Sequence, residues 1–112
     1  MPSRLEMLES MIARGAKDPF VHYAHAMELR GLGRAADALT AFETVRTHFP
    51  DYVPTYLMAG QLAVELADYA RAREFLTTGL AAAKAAGDDH ATSELSSALA
   101  TLPTAPDVDR ST

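Results

Sequence analysis

The sequence predicts an all-α protein of about six helices, stacked as antiparallel pairs. Three observations carry that reading. Alanine is the commonest residue, 22 of 112, and it is both the best helix former and the smallest apolar side chain. Apolar residues recur at helical spacing between Gly, Pro and Asp breakers along most of the chain. The breakers leave links of only three to five residues, and short links force consecutive helices to lie antiparallel as neighbours.

The first helix follows Ser3, a suitable cap, and carries Leu5, Leu8, Met11 and Ile12 before Gly15 ends it. Asp18-Pro19 opens the second, with Asp18 as cap and Pro19 at the first helical position. It runs to about Arg30, where Gly31-Leu32-Gly33 breaks it. The third begins after Arg34, carries Ala38, Leu39, Phe42 and Val45, and stops at Phe49-Pro50. The fourth opens near Pro54 with Tyr56, Leu57, Gly60 and Val64, and is interrupted at Ala67-Asp68. The fifth spans Tyr69 to about Ala86 and ends at Gly87. The sixth follows Asp88-Asp89, either of which can cap it, and carries His90, Leu95, Ala98 and Leu99 to near Pro103. Residues 103–112 hold Pro103, Pro106, Asp107 and Asp109 without apolar period, and read as a frayed tail.

A shift of 34 residues superposes the chain on itself. Ala26 falls on Gly60, Leu32 on Leu66, Gly33 on Ala67, Ala35 on Tyr69, Ala38 on Ala72, Phe42 on Leu76 and His22 on Tyr56. Small residues at 26, 60, 38 and 72 let paired helices approach closely. Large ones at 42 and 76 fill the space between pairs. Neither pair buries its apolar face alone, so each needs a stacked neighbour.

This period and this order of small and large residues resemble the tetratricopeptide repeat (TPR) family. The resemblance covers about residues 4–102 and implies a TPR-like superhelix. The first full repeat is about 19–52, with Pro50 at the family's closing proline. The second is about 53–86, with Tyr56, Gly60, Tyr69, Ala72 and Leu76 on the marked positions. Leu8 and Met11 precede Phe42 and Val45 by the same 34, so the N-terminal helix, 3–14, resembles the second helix of a degenerate repeat. The helix over 89–102 then caps the stack. Together these make one helical domain over 1–102. Two positions depart from the pattern. Lys84 replaces the closing proline of the second repeat, which lets the fifth helix run longer, and Ala63 stands where the first repeat has Leu29.

The resemblance also implies a groove lined by the first helix of each pair. Its positions are Phe20, Tyr23, Met27 and Arg30, then Pro54, Leu57, Gln61 and Val64, then Asp88, Ala91, Leu95 and Ala98. Residues 23, 27 and 30 share a helical face, as do 57, 61 and 64. The partner-binding set expected from these is Phe20, Tyr23, Met27, Arg30, Leu57, Gln61, Val64 and Leu95. Such a patch is mostly apolar, with one cation and one amide, and suits the apolar side of a helix or an extended peptide. The competing reading makes Tyr23, Met27 and Leu57 half-buried core, or surface covered by the last helix. One TPR subclass grips a C-terminal carboxylate with Lys, Arg and Asn on successive first helices. Only Arg30 is present here, so that clamp is not expected.

Chemistry is excluded more firmly. The chain has no Cys, so disulfides, thiolate nucleophiles and Cys-ligated metals are absent. His22 and His25 lie three apart on one helix, but two ligands are not a zinc site, and packing or surface roles suit both. No serine sits in a glycine elbow. Gly31-Leu32-Gly33-Arg34 follows a helix and lacks the ending of a phosphate loop. Fifteen acidic and ten basic residues give a net charge of −5, with Arg71 and Arg73 on different helix flanks, so no nucleic-acid track is expected. No segment is long and apolar enough for a membrane span, and Glu6 and Glu9 spoil a signal peptide. The expectation is a cytoplasmic, non-catalytic protein-interaction module without cofactor or metal, binding a protein or peptide. The alternative is a self-associating structural protein, a homodimer through the groove or a terminal helix.

Overall fold

Four of the six helices start at a capping side chain. In the computed structural model, which describes residues 1–103, they are α1 (Arg4–Ala13), α2 (Pro19–Gly31), α3 (Ala35–His48), α4 (Pro54–Glu65), α5 (Tyr69–Ala86) and α6 (Asp89–Thr101). Most of the expected tail, residues 104–112, lies outside the described residues. Ser3 and Glu6 form a capping box: the Glu6 amide donates to Ser3 Oγ at 3.0 Å, and the Ser3 amide donates to Glu6 Oε1 at 2.8 Å. Asp18 accepts from the Phe20 amide at 2.9 Å, Asp68 from Arg71 at 3.1 Å and Asp88 from Ala91 at 3.0 Å. Of the two aspartates before α6, Asp88 is therefore the cap. α3 has no side-chain cap; Arg34 there pairs with Asp37 at 2.9 Å.

Four helix ends share one closing geometry. An amide just past the helix end reaches back five residues to a carbonyl in the last turn: Ala16 to Met11, Arg34 to Leu29, Asp68 to Ala63 and Asp88 to Ala83. This is the Schellman motif, which needs a left-handed residue just before the donor. Gly15, Gly33 and Gly87 supply it at φ 89°, 79° and 69°. The fourth is Ala67 at φ 59°, the one non-glycine residue with positive φ among the described residues.

The chain divides into two compact units, Met1–Thr55 and a second from Tyr56 onward. In the first, α2 packs on α3 as an antiparallel pair and α1 stacks on α2. Leu8 of α1 meets Val21 and Ala24 of α2 in a small core edged by Ile12 and Ala16. His22 completes this corner: its Nε2 lies 2.8 Å from the Ala16 carbonyl, and its ring lies 5.2 Å from that of Phe49. Packing, the role expected for His22, is the role it has.

The second unit pairs α4 with α5 and stacks α6 on α5. Two glycines set the α4–α5 spacing. A Cβ on Gly60 would stand 2.5 Å from Leu76 Cδ2 and 2.7 Å from its Cγ. A Cβ on Gly79 would stand 2.7 Å from Tyr56 Cγ and 3.3 Å from Leu95 Cδ2. Tyr56, Leu62, Phe75, Leu76 and Leu95 are buried. At 18 residues α5 is the longest helix, consistent with Lys84 standing where a proline would stop it. α6 is polar where α4 is buried. His90, Ser93, Glu94 and Ser97 lie 34 residues after Tyr56, Ala59, Gly60 and Ala63. The earlier four are buried, whereas the later four are exposed, so α6 carries a polar outer face.

Candidate interaction groove

A groove of about 600 Å³ runs between α4 and α6 in the second unit. Leu57, Gln61, Val64 and Glu65 form the α4 wall, and Ser93, Glu94, Ser97, Ala98 and Thr101 form the α6 wall. Gly60 and Leu76 form the floor. The floor follows from the glycine: with no side chain at 60, Leu76 packs directly on the α4 backbone and closes the bottom of the groove, itself only 1% exposed. Leu57 is half-buried, while Gln61 and Val64 are exposed. No Lys or Arg lines the groove, and two carboxylates stand at it. Glu94 lies 3.2 Å from His90 across one helical turn. The groove can therefore take an apolar side chain over Leu57, Val64 and Ala98 with a basic residue beside it.

The eight residues expected to bind a partner divide. Leu57, Gln61 and Val64 share this groove. Leu95 does not: it is 1% exposed and belongs to the core beside Gly79. The helical period explains this, because Leu95 stands on the α6 face turned to α5, whereas Ser93, Ser97 and Thr101 repeat every four residues on the other. Those polar residues were missed because serine and threonine carry no apolar period. Their i, i+4, i+8 spacing was the available signal.

The other four are on α2 in the first unit. Tyr23 is half-buried in an aromatic cluster, its ring 5.6 Å from Tyr52, 6.1 Å from Phe42 and 6.4 Å from Phe20. Burial pushes its phenol above the ordinary value, the neighbouring Tyr52 adds to this and Arg30 opposes it. Met27 and Arg30 are half-buried. Phe20 is 55% exposed and faces a second depression of about 430 Å³ between α1 and α2, lined also by Arg4, Met7, Leu8, Met11, Val21 and Ala24.

His25 Nε2 lies 3.2 Å from Glu9 of α1. Among the described residues, no group of three or more His, Asp or Glu is placed to hold a metal ion. No helix there is long and apolar enough to cross a membrane.

Repeated antiparallel helix pairs, with one turn geometry recurring at 34 residues, define a helical-repeat scaffold. The chain belongs to the tetratricopeptide repeat family: the family's model matches residues 29–91. It is similar to a tetratricopeptide repeat domain protein from Salinibacter ruber, at 34% identity. The solution structure of that domain covers 77% of this chain and 87% of its own, with a TM-score of 0.72. The crystal structure from the same organism covers 77% and 96%, with a TM-score of 0.71. A protein from Bordetella parapertussis is similar in solution structure at 26% identity, covering 91% of this chain and 89% of its own, with a TM-score of 0.75. A comparison with curated proteins finds no match. Proteins of the TPR fold generally mediate protein–protein interactions through a concave groove, and are typically non-catalytic scaffolds.

Proposed function

We propose that this chain is a non-catalytic interaction module whose α4–α6 groove takes the apolar side of a basic amphipathic helix or peptide. The observation that carries this is the lining of the groove: apolar Leu57, Val64 and Ala98 stand together with the carboxylates of Glu65 and Glu94. Leu57 and Val64 give apolar anchors, Gln61 an amide for a peptide bond, and Glu65 and Glu94 a negative rim. Affinity would come from few anchors, with the rim selecting basic over acidic partners.

The test uses two amphipathic peptides of one apolar pattern, one flanked by Lys and Arg, the other by Glu. Each is titrated into ¹⁵N-labelled protein. The basic peptide should move the amide signals of Leu57, Gln61, Val64, Ser97 and Ala98, and an Ala98→Arg variant should lose the response. Shifts confined to α1 and α2, or equal binding of both peptides, would remove the groove assignment.

A further inference from the structure

α1 exposes a face that the rest of the chain covers. Residues 4, 7 and 11 are repeat-related to 38, 41 and 45 in α3, and to 72, 75 and 79 in α5. Ala38, Val45, Ala72, Phe75 and Gly79 are buried and Ala41 half-buried. In α5 the occupant of this face is visible: Tyr56 of the antiparallel helix α4 closes over Gly79. On α1, Met7 is 55% and Met11 43% exposed, with Phe20 of α2 beside them. The fold thus places on α1 a surface built to carry an antiparallel helix. The polar outer face of α6 is unsuited to that place.

The charges on α1 say which helix fits. Glu6, Ser10 and Arg14 follow one another at four-residue spacing, beside Met7 and Met11 in a shallow depression. A helix rises about 1.5 Å per residue, so Glu6 and Arg14 stand about 6 Å to either side of Ser10. In an antiparallel second copy related by a two-fold axis at Ser10, the Cα of each Glu6 lies level with that of the other's Arg14, whose guanidinium donates to Ser10 Oγ at 2.7 Å in the single chain and turns from it to reach the partner's carboxylate. The stripe is therefore complementary to itself, the condition for an isologous contact.

We propose that α1 is a self-association surface, on which a second copy lays its own α1 antiparallel across a two-fold axis at Ser10. Met7 and Met11 supply the apolar contact, and Glu6 of each copy pairs with the partner's Arg14. One helix face is a small interface, so the dimer is weak and forms at high concentration. The inference is independent of the groove between α4 and α6.

Sedimentation from about 1 µM to about 1 mM should show a monomer–dimer equilibrium. Arg14→Glu sets like charges together at two places and should weaken the dimer about tenfold or more. Glu6→Arg with Arg14→Glu should restore it, with folding checked by circular dichroism because Glu6 also serves the capping box. A second variant avoids that complication. The chain has no cysteine, so Ser10→Cys creates a lone thiol near the axis, where two can meet within disulfide reach. Diamide, as oxidant, should cross-link Ser10→Cys and leave Gln61→Cys monomeric. A monomer throughout the range, or cross-linking of Gln61→Cys in place of Ser10→Cys, would overturn the proposal.

Discussion

Tyr56 closes over Gly79: a methyl on that glycine would stand 2.7 Å from the tyrosine Cγ and nearer still to its Cβ. Tyr56 Cβ is fixed to the α4 backbone, so relief requires the two helices to part. Gly79→Ala should therefore cost about 2 kcal/mol in urea unfolding, even after the helix-propensity gain of alanine.

Gly60 makes a contact of similar closeness but different kind. A Cβ there meets the Leu76 side chain, and Leu76 borders the open groove. Leu76 is a side chain that can repack where Tyr56 Cβ cannot, so Gly60→Ala should cost less than Gly79→Ala, about 1 kcal/mol. The displaced leucine fills the groove floor. Binding of the basic peptide should then fall in an otherwise folded variant, as calorimetric titration would read.

Ala67 holds the left-handed position that glycine holds at the other three Schellman turns. A Cβ is disfavoured there, so Ala67→Gly should raise stability by about 1 kcal/mol. Gly33→Ala, at the repeat-related turn, should lower it by a similar amount. Chemical denaturation of both variants checks the pair, and equal signs would contradict the account.

Thr55 is fully buried and its Oγ1 has no hydrogen-bond partner. Valine keeps the shape and removes the unpaired hydroxyl. Thr55→Val should raise stability by about 1 kcal/mol, seen as a higher urea midpoint with an unchanged slope.

Tyr23 and Tyr52 both ionise above the ordinary 10.0, chiefly because burial disfavours phenolate; Asp18 adds to this at Tyr52. Above pH 10 the unfolded chain gives up these protons first, so the folded state binds more. Stability must then fall as pH rises from 10 toward the folded-state values. Stability measured from pH 8 to 11 should decline at the top of the range, and Tyr52→Phe should reduce the decline. The same substitution removes one cause of the Tyr23 shift, so Tyr23, one of three tyrosines then left, should titrate lower when its ring signals are followed by nuclear magnetic resonance.

Six helices and their ends were legible because their signals are local. Ser3, Asp18, Asp68 and Asp88 bond to amides two or three residues away, and Gly15, Gly33 and Gly87 take the left-handed conformation without steric cost. The 34-residue repeat was equally legible, since paired helices impose the same small residues on each copy. The groove was legible on α4, where Leu57, Gln61 and Val64 share a face, and on α6 only at Ala98.

The sequence by itself thus determined the elements, the repeat and the absence of cysteine chemistry. Tertiary structure alone decided which face of each helix is covered. It turned Leu95 into core and left Ser93, Ser97 and Thr101 at the groove. It drew Tyr23 into an aromatic cluster and left Met7 and Met11 exposed. The reason is physical: a helical period fixes which residues share a face, but burial depends on a neighbour brought there by the rest of the chain.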